Sequence, residues 1–271
     1  MFRAIVATSI LSTFALPALA QDADALFEAI GMPRILEVMA QEGVTQGEDL
    51  EEQLFSGQGG PVWDQRLNEI YDTEAMHQLV FNRFETELAD TNLSPLLEFF
   101  EGDTGAQIIE LEISARIAFL DDSIEAAAER AAAALPDSDP ERFEALEEFI
   151  EVNDLVESNV IGAMNSNLAF YQGLLLSGAF GNDLTESQIL ADVRSREDGI
   201  RRDTQEWVLS YLGLAYSPIP LDDLRAYTSL SRTPEGRALN NALFAAFDEM
   251  YTGISQNLGA AAAAFMVSEN L

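Results

Sequence analysis

Between residues 113 and 131 apolar side chains return at steps of four and three: Ile113, Ile117, Leu120, Ile124, Ala127 and Ala131. That interval lays them along one face of an α-helix, which completes a turn every ~3.6 residues. One continuous helix is expected from about Asp103 to Leu135, roughly 50 Å long at ~1.5 Å per residue. The C-terminal stretch repeats the device with Leu239, Leu243, Phe247, Met250, Ile254, Leu258 and Ala261. It ends in GAAAAAF (259–265), whose small side chains suit close helix packing. The period-two alternation that marks half-buried strands is nearly absent. The expected fold class is therefore all-α, a helical bundle with long amphipathic helices.

Pro136-Asp137-Ser138-Asp139-Pro140 is the clearest interruption, where Asp139 can cap the next helix and Pro140 fits its first turn. It separates residues 21–135 from 141–271, with 136–140 as a linker. LFEAIGMPRILE (26–37) aligns without gaps on LEEFIEVNDLVE (146–157). Leu26, Glu28, Ile30 and Glu37 recur there as Leu146, Glu148, Ile150 and Glu157, and Met32, Ile35 and Leu36 become Val152, Leu155 and Val156. Further on, LEFFEGDTGAQI (97–108) and LRAYTSLSRTPEGRAL (224–239) each set aromatic residues before a glycine that opens a helix. Leu93 matches Leu221, and Gly105 matches Gly236 after a three-residue insertion. Two related helical halves from an internal duplication are expected, packed as one domain or two.

The chain begins MFRAIVATSILSTFALPALAQDADA, with Arg3 as the only charge ahead of a mostly apolar run and Ala18-Leu19-Ala20 as a small-x-small site. This reads as a cleaved secretory signal over residues 1–20, with Gln21 as the mature N-terminus and the periplasm as destination. No later segment offers ~18 uninterrupted apolar residues, so no membrane span is expected after cleavage. The 271-residue chain carries a formal charge of −33. Cleavage removes Arg3 and no acid, leaving 251 residues with 13 basic against 47 acidic side chains. Such a surface repels nucleic acid and anionic membranes and favours cationic partners. There is no cysteine, and all 14 basic residues are arginine. Thiol catalysis, disulfides, thiolate metal sites, Schiff-base chemistry and a phosphate-loop lysine are thereby excluded.

The secretory start, the early L-x-x-x-x-G/x-M/V-x-x-I/L-L/V-E element and the later Thr233-Pro234-Glu235-Gly236 corner with Tyr227 before it resemble the domain of unknown function 2059 family. Phe99-Phe100 fits the aromatic position of the first copy, although Gly102-Asp103-Thr104-Gly105 has glycine and aspartate where that family prefers Ser/Thr-Pro. The resemblance implies an exported helical protein of Gram-negative bacteria, and it carries no catalytic residue, since that family's activity is not established.

The two corners pose the first chemical choice. A glycine beside a helix N-terminus can bind an anion on free amides. Thr233 is a good N-cap and Pro234 a good first residue, while Asp103 and Thr104 offer similar capping chemistry. Carboxylates sit inside both corners and lysine in neither, so Asp103, Gly105, Thr233, Pro234 and Gly236 are read as structural. His77 pairs with Glu74 in a Glu-x-x-His step, but a dinuclear carboxylate site needs that step twice, and this is the only histidine. A Ser-His-Asp triad would depend on the same residue, and no G-x-S-x-G elbow exists. No catalytic, cofactor or metal residue is assigned.

Glu112 and Arg116, four apart, are expected to pair along their helix. Trp63, after the glycine-rich loop SGQGGPVW (56–63), reads as a packing staple or a binding aromatic. Asn167 and Tyr171, one turn apart in an apolar helix, could line a cavity or be satisfied locally. The functional expectation is a non-catalytic binding or scaffolding protein of the cell envelope, taking an unknown protein or a small apolar or cationic ligand. The competing classes are a carboxylate-dependent hydrolase acting on an envelope polymer and a weak cation binder. Carboxyls with raised pKa in a closed cleft would favour the enzyme, and a dry groove would favour binding.

Overall fold

The computed structural model describes residues 16–55, 58–176 and 185–268, and within them every regular element is a helix. Residues 1–15 of the signal segment and Ser56 and Gly57 of the glycine-rich loop lie outside the described residues. Before Asp139 the order is α1 (Leu16–Ala29), α2 (Met32–Phe55), α3 (Gly60–Ile70), α4 (Thr73–Leu88), α5 (Ser94–Phe100), α6 (Asp103–Ala118) and α7 (Asp122–Ser138). After it come α8 (Pro140–Val152), α9 (Leu155–Leu176), α10 (Glu186–Ser195), α11 (Glu197–Tyr216), α12 (Leu221–Ser231) and α13 (Pro234–Ser268). The protein is an all-α helical bundle.

Helix contacts run in the same order on both sides of Asp139. Helix α1 packs on α2, α4 and α5, and α8 packs on α9, α11 and α12. Helix α5 packs on α6 as α12 packs on α13. The long helices then cross over: α13 lies on α4 and α9, while α6 and α7 lie on α11. Three apolar clusters result. One joins Leu26, Phe27, Leu36, Val80, Phe84, Leu96, Phe100 and Ile113 to Ala246 and Met250 of α13. A second gathers Ile108, Leu146, Phe149, Val208, Leu212, Tyr216 and Leu224. A third binds Phe55, Trp63 and Leu67 to Leu174, Ala262 and Ala263. Burying one such large side chain contributes about 1.5–3 kcal/mol, so the clusters carry most of the favourable energy.

The glycines of the closest crossing act in pairs. A Cβ on Gly173 of α9 would overlap the Gln256 carbonyl of α13, and one on Gly259 would overlap the Phe170 carbonyl. The small-residue end of α13 therefore lets two backbones approach.

The expected continuous helix from Asp103 to Leu135 is two helices. Asp121 leaves helical dihedrals (φ −105°, ψ 107°) and its side chain accepts from the Ser123 amide at 2.9 Å, starting α7 afresh. Of the six stripe residues, Ile113 is buried, whereas Ile117, Leu120 and Ile124 at the new corner are 48%, 39% and 38% exposed. Helix α7 runs through Pro136 to Ser138, so the expected linker shrinks to Asp139, which accepts from the Arg142 amide and caps α8.

The two glycine corners have matching geometry. A Cβ on Gly105 would overlap the Phe99 carbonyl, and one on Gly236 the Leu230 carbonyl, six residues earlier in each case. Thr233 Oγ1 accepts from the Gly236 amide at 2.9 Å, and Pro234 opens α13. Asp103 does not cap its helix. Gly102 holds the N-cap position without a side-chain bond, and Asp103 is the first helical residue.

Candidate functional site

A cavity of about 540 Å³ lies where the first and second clusters meet. Met32, Ile35 and Met39 of α2 close one side, and Leu243, Phe244 and Phe247 of α13 another. Helix α9 supplies small or polar positions, namely Ser158, Asn159, Gly162, Ala163 and Ser166. Aromatic rings from α8, α11, α12 and α13 complete the wall: Phe149, Trp207, Tyr211, Tyr216, Tyr227 and Tyr251. A site of this size and lining suits one small organic molecule.

The polar end is built on α6. Ile108, Glu112 and Ala115 share the helix face turned to α11, so a carboxyl occupies a position in an apolar stripe. Tyr216 donates its phenol proton to Glu112 Oε1 at 2.5 Å, and Tyr211 donates to the Glu112 backbone carbonyl at 2.8 Å. Glu112 Oε2 has no hydrogen-bond partner among the described residues, and neither does the Tyr227 hydroxyl. Burial pushes the Glu112 carboxyl up to about 7, against the lowering effect of the Tyr216 bond. Burial and then the nearby Glu112 charge push the phenols of Tyr216, Tyr211 and Tyr227 well above their ordinary value.

Several contacts fix these groups. Arg142, whose backbone is capped by Asp139, donates to the Tyr216 and Ile219 carbonyls at 2.7 and 3.1 Å. That satisfies the last carbonyl of α11 and one in the turn after it, and holds Tyr216 in place. Trp207 and Tyr211 stack in parallel with centroids 5.1 Å apart. Tyr227 lies between the corners, stacked on Phe99 at 5.6 Å and edge-on to Phe100 at 5.8 Å. Asn153 bonds the Phe149 carbonyl, and its own carbonyl accepts from Asn240 of α13 at 2.8 Å. Asp248 accepts from Asn165 at 2.9 Å.

Arg116 does not pair with Glu112. Its Nε and Nη2 grip both carboxyl oxygens of Glu42 on α2, at 3.0 and 2.5 Å, and its guanidinium lies 6.0 Å from the Trp207 ring centre. The two-point fork is the better electrostatic partner for a guanidinium, and it leaves Glu112 to the tyrosines.

The three residues read as possible ligand contacts, Trp63, Asn167 and Tyr171, are not among those lining the cavity. Trp63 is fully buried in the third cluster, where its indole donates to the Gly47 carbonyl at 3.0 Å and packs edge-on to Phe55. Tyr171 donates to Asp192 of α10 at 2.8 Å, so its polar tip is spent outside the cavity. Asn167 is half-buried on α9 and does not line the cavity. His77 packs edge-on to Phe27 at 5.1 Å. Among the described residues no group of three or more His, Asp or Glu side chains is placed to hold a metal ion.

The cavity residues that sequence reasoning did not single out for a site are Glu112, Tyr211, Tyr216 and Tyr227. One signal was present: Glu112 interrupts the spacing Ile108-x3-Glu112-x2-Ala115, an acid in the middle of an apolar face. No family model matches the chain, and no curated protein or solved structure is detectably similar to it.

Proposed function

We propose that this is an exported binding protein of the cell envelope that holds one small, largely apolar molecule in the cavity between α2, α6, α9, α11 and α13. The observation that carries the reading is a cavity of about 540 Å³, walled by aromatic and aliphatic side chains, with one tyrosine-bonded carboxyl at its end. A ligand losing ~300 Å² of apolar surface there gains roughly 7 kcal/mol. Association and ordering costs come out of that gain, so apolar burial alone holds the ligand no tighter than about 10 μM. The leader-like start of the sequence supports export, and the matching helix contacts and glycine corners support descent from a duplication.

The hydrolytic alternative has one observation in its favour: a carboxyl titrating near 7 is suited to general acid work. A cavity of about 540 Å³ with a mostly apolar wall has the size and lining of a site for one small molecule, so binding is the better reading. The test is native mass spectrometry of the protein isolated from its own cells, followed by denaturing extraction. A reproducible small-molecule adduct at one per chain supports binding. Protein that arrives only as bare chain, and acquires no adduct from envelope extract, overturns it.

A further inference from the structure

A second hollow of about 490 Å³ opens between α7, α9 and α11, and it shares Asn159, Ala163 and Trp207 with the cavity, so the two adjoin. Its rim carries Glu125 and Glu129 of α7 and Asp203 and Glu206 of α11, with no basic side chain among its lining residues. From the shared Trp207 the stacked ring of Tyr211 leads inward to Glu112.

Resting on the binding reading above, we propose that the ligand is an organic cation, a protonated amine or quaternary ammonium on an apolar body, which enters past the acidic rim and sets its charge against Glu112. Four carboxylates around an entrance concentrate cations and repel anions. Aromatic faces attract a cation that has shed its water, and Trp207, Tyr211 and Tyr227 line the way to the carboxyl. Glu112 offers Oε2 as an acceptor, and Asp248 adds a second carboxylate to the wall. Arg116, the one basic side chain among the described residues lining the cavity, is matched by both carboxyl oxygens of Glu42, so it leaves no positive charge free to hold an acid headgroup.

The groups facing Glu112 are Tyr211 and Tyr216 of α11, Tyr227 of α12 and, on its own helix, Arg116 with its Glu42 partner. None of them supplies an unmatched positive charge. A bound cation would be the missing counter-ion, drawing a proton off Glu112 as it binds.

The experiment is isothermal titration of the whole mature protein with decyltrimethylammonium, 1-decanol and decanoate, below their aggregation limits, in two buffers of different ionisation heat. The proposal expects the cation to bind about tenfold or more tighter than decanol, with net proton release near neutral pH and weaker binding in salt. E112Q should remove that preference and the proton release. The quadruple change E125Q, E129Q, D203N, E206Q should slow association and flatten the salt dependence. If decanol or decanoate binds as tightly as the cation, the cation proposal fails while the cavity reading stands. If E112Q keeps the preference, the counter-ion role fails and the proposal with it. If none of the three binds, both readings fail together.

Discussion

Tyr216 on α11 donates a 2.5 Å hydrogen bond to Glu112 on α6, joining two helices across the polar end of an otherwise apolar cavity. The carboxyl titrates at about 7 in the folded protein, against 4.5 for an ordinary glutamate. Between those values the unfolded chain binds fewer protons at this position than the folded one. Stability contributed through Glu112 is therefore fully present below about 4.5 and is lost as pH rises to about 7. The full effect is on the order of 3 kcal/mol. E112Q should remove this pH dependence. Relative to the native chain, its urea midpoint should rise steadily across that window and then stay level. A difference between the two proteins that does not vary with pH would contradict the assignment.

Y216F removes the one bond that lowers the Glu112 carboxyl. Its titration, followed by carbon NMR of the labelled side-chain carboxyl, should move above the native value. Stability at neutral pH should fall by about 1 kcal/mol, the net worth of one hydrogen bond. A titration unchanged by Y216F would mean that the tyrosine does not stabilise the ionised form.

The Arg116–Glu42 fork ties α6 to α2 with both side chains only 19% exposed. Removing either partner alone leaves a largely desolvated charge, so R116M or E42L should each cost about 2–4 kcal/mol. The double change should recover most of that loss. Additive losses in the double variant, read from chemical denaturation, would show that the pair is not coupled.

The glycine corners give a graded series. T233A loses the bond to the Gly236 amide and should cost about 1 kcal/mol. G236A and G105A each drive a methyl into the backbone of the preceding helix and should cost ~3 kcal/mol. G253A, in the same long helix with nothing near its added carbon, should instead stabilise by ~0.5–1 kcal/mol. Equal effects at Gly236 and Gly253 in thermal melts would refute the close-approach account.

Helix content was legible because the 3.6-residue period is a local property, visible at Leu239, Phe247 and Met250 without reference to any other segment. Asp139 and Thr233 were legible as caps for the same reason. The break at Asp121 was not, because the apolar steps continue past it through Ile124 while the cap asserts itself. The cavity was hidden because its parts are distant in sequence: Met39, Glu112, Trp207 and Phe247 meet only through the crossing of α6 and α13 over opposite sets of helices. Glu112 illustrates the limit. At four residues' spacing Arg116 was its natural partner, yet Glu42, 74 residues away from Arg116, offered the better fork. Tyr171 showed the right polarity, and where its hydroxyl points depended on a neighbour, Asp192 of α10, that spacing alone does not reveal.

The central claim is that the cavity between α6, α9, α11 and α13 holds a ligand, and Gly162 allows it to be tested directly. A Cβ at Gly162 would meet only Asp248 Oδ1, 4.0 Å away, so a large side chain there grows into the cavity without disturbing the helix backbone. Binding of the neutral fluorescent probe N-phenyl-1-naphthylamine should be saturable at one site per native chain, with a dissociation constant of about 10 μM or weaker. G162F, with unchanged helical circular dichroism and an equal or higher melting temperature, should lose that binding by about tenfold or more. Equal probe affinity in a folded G162F would place the binding site elsewhere and contradict the account.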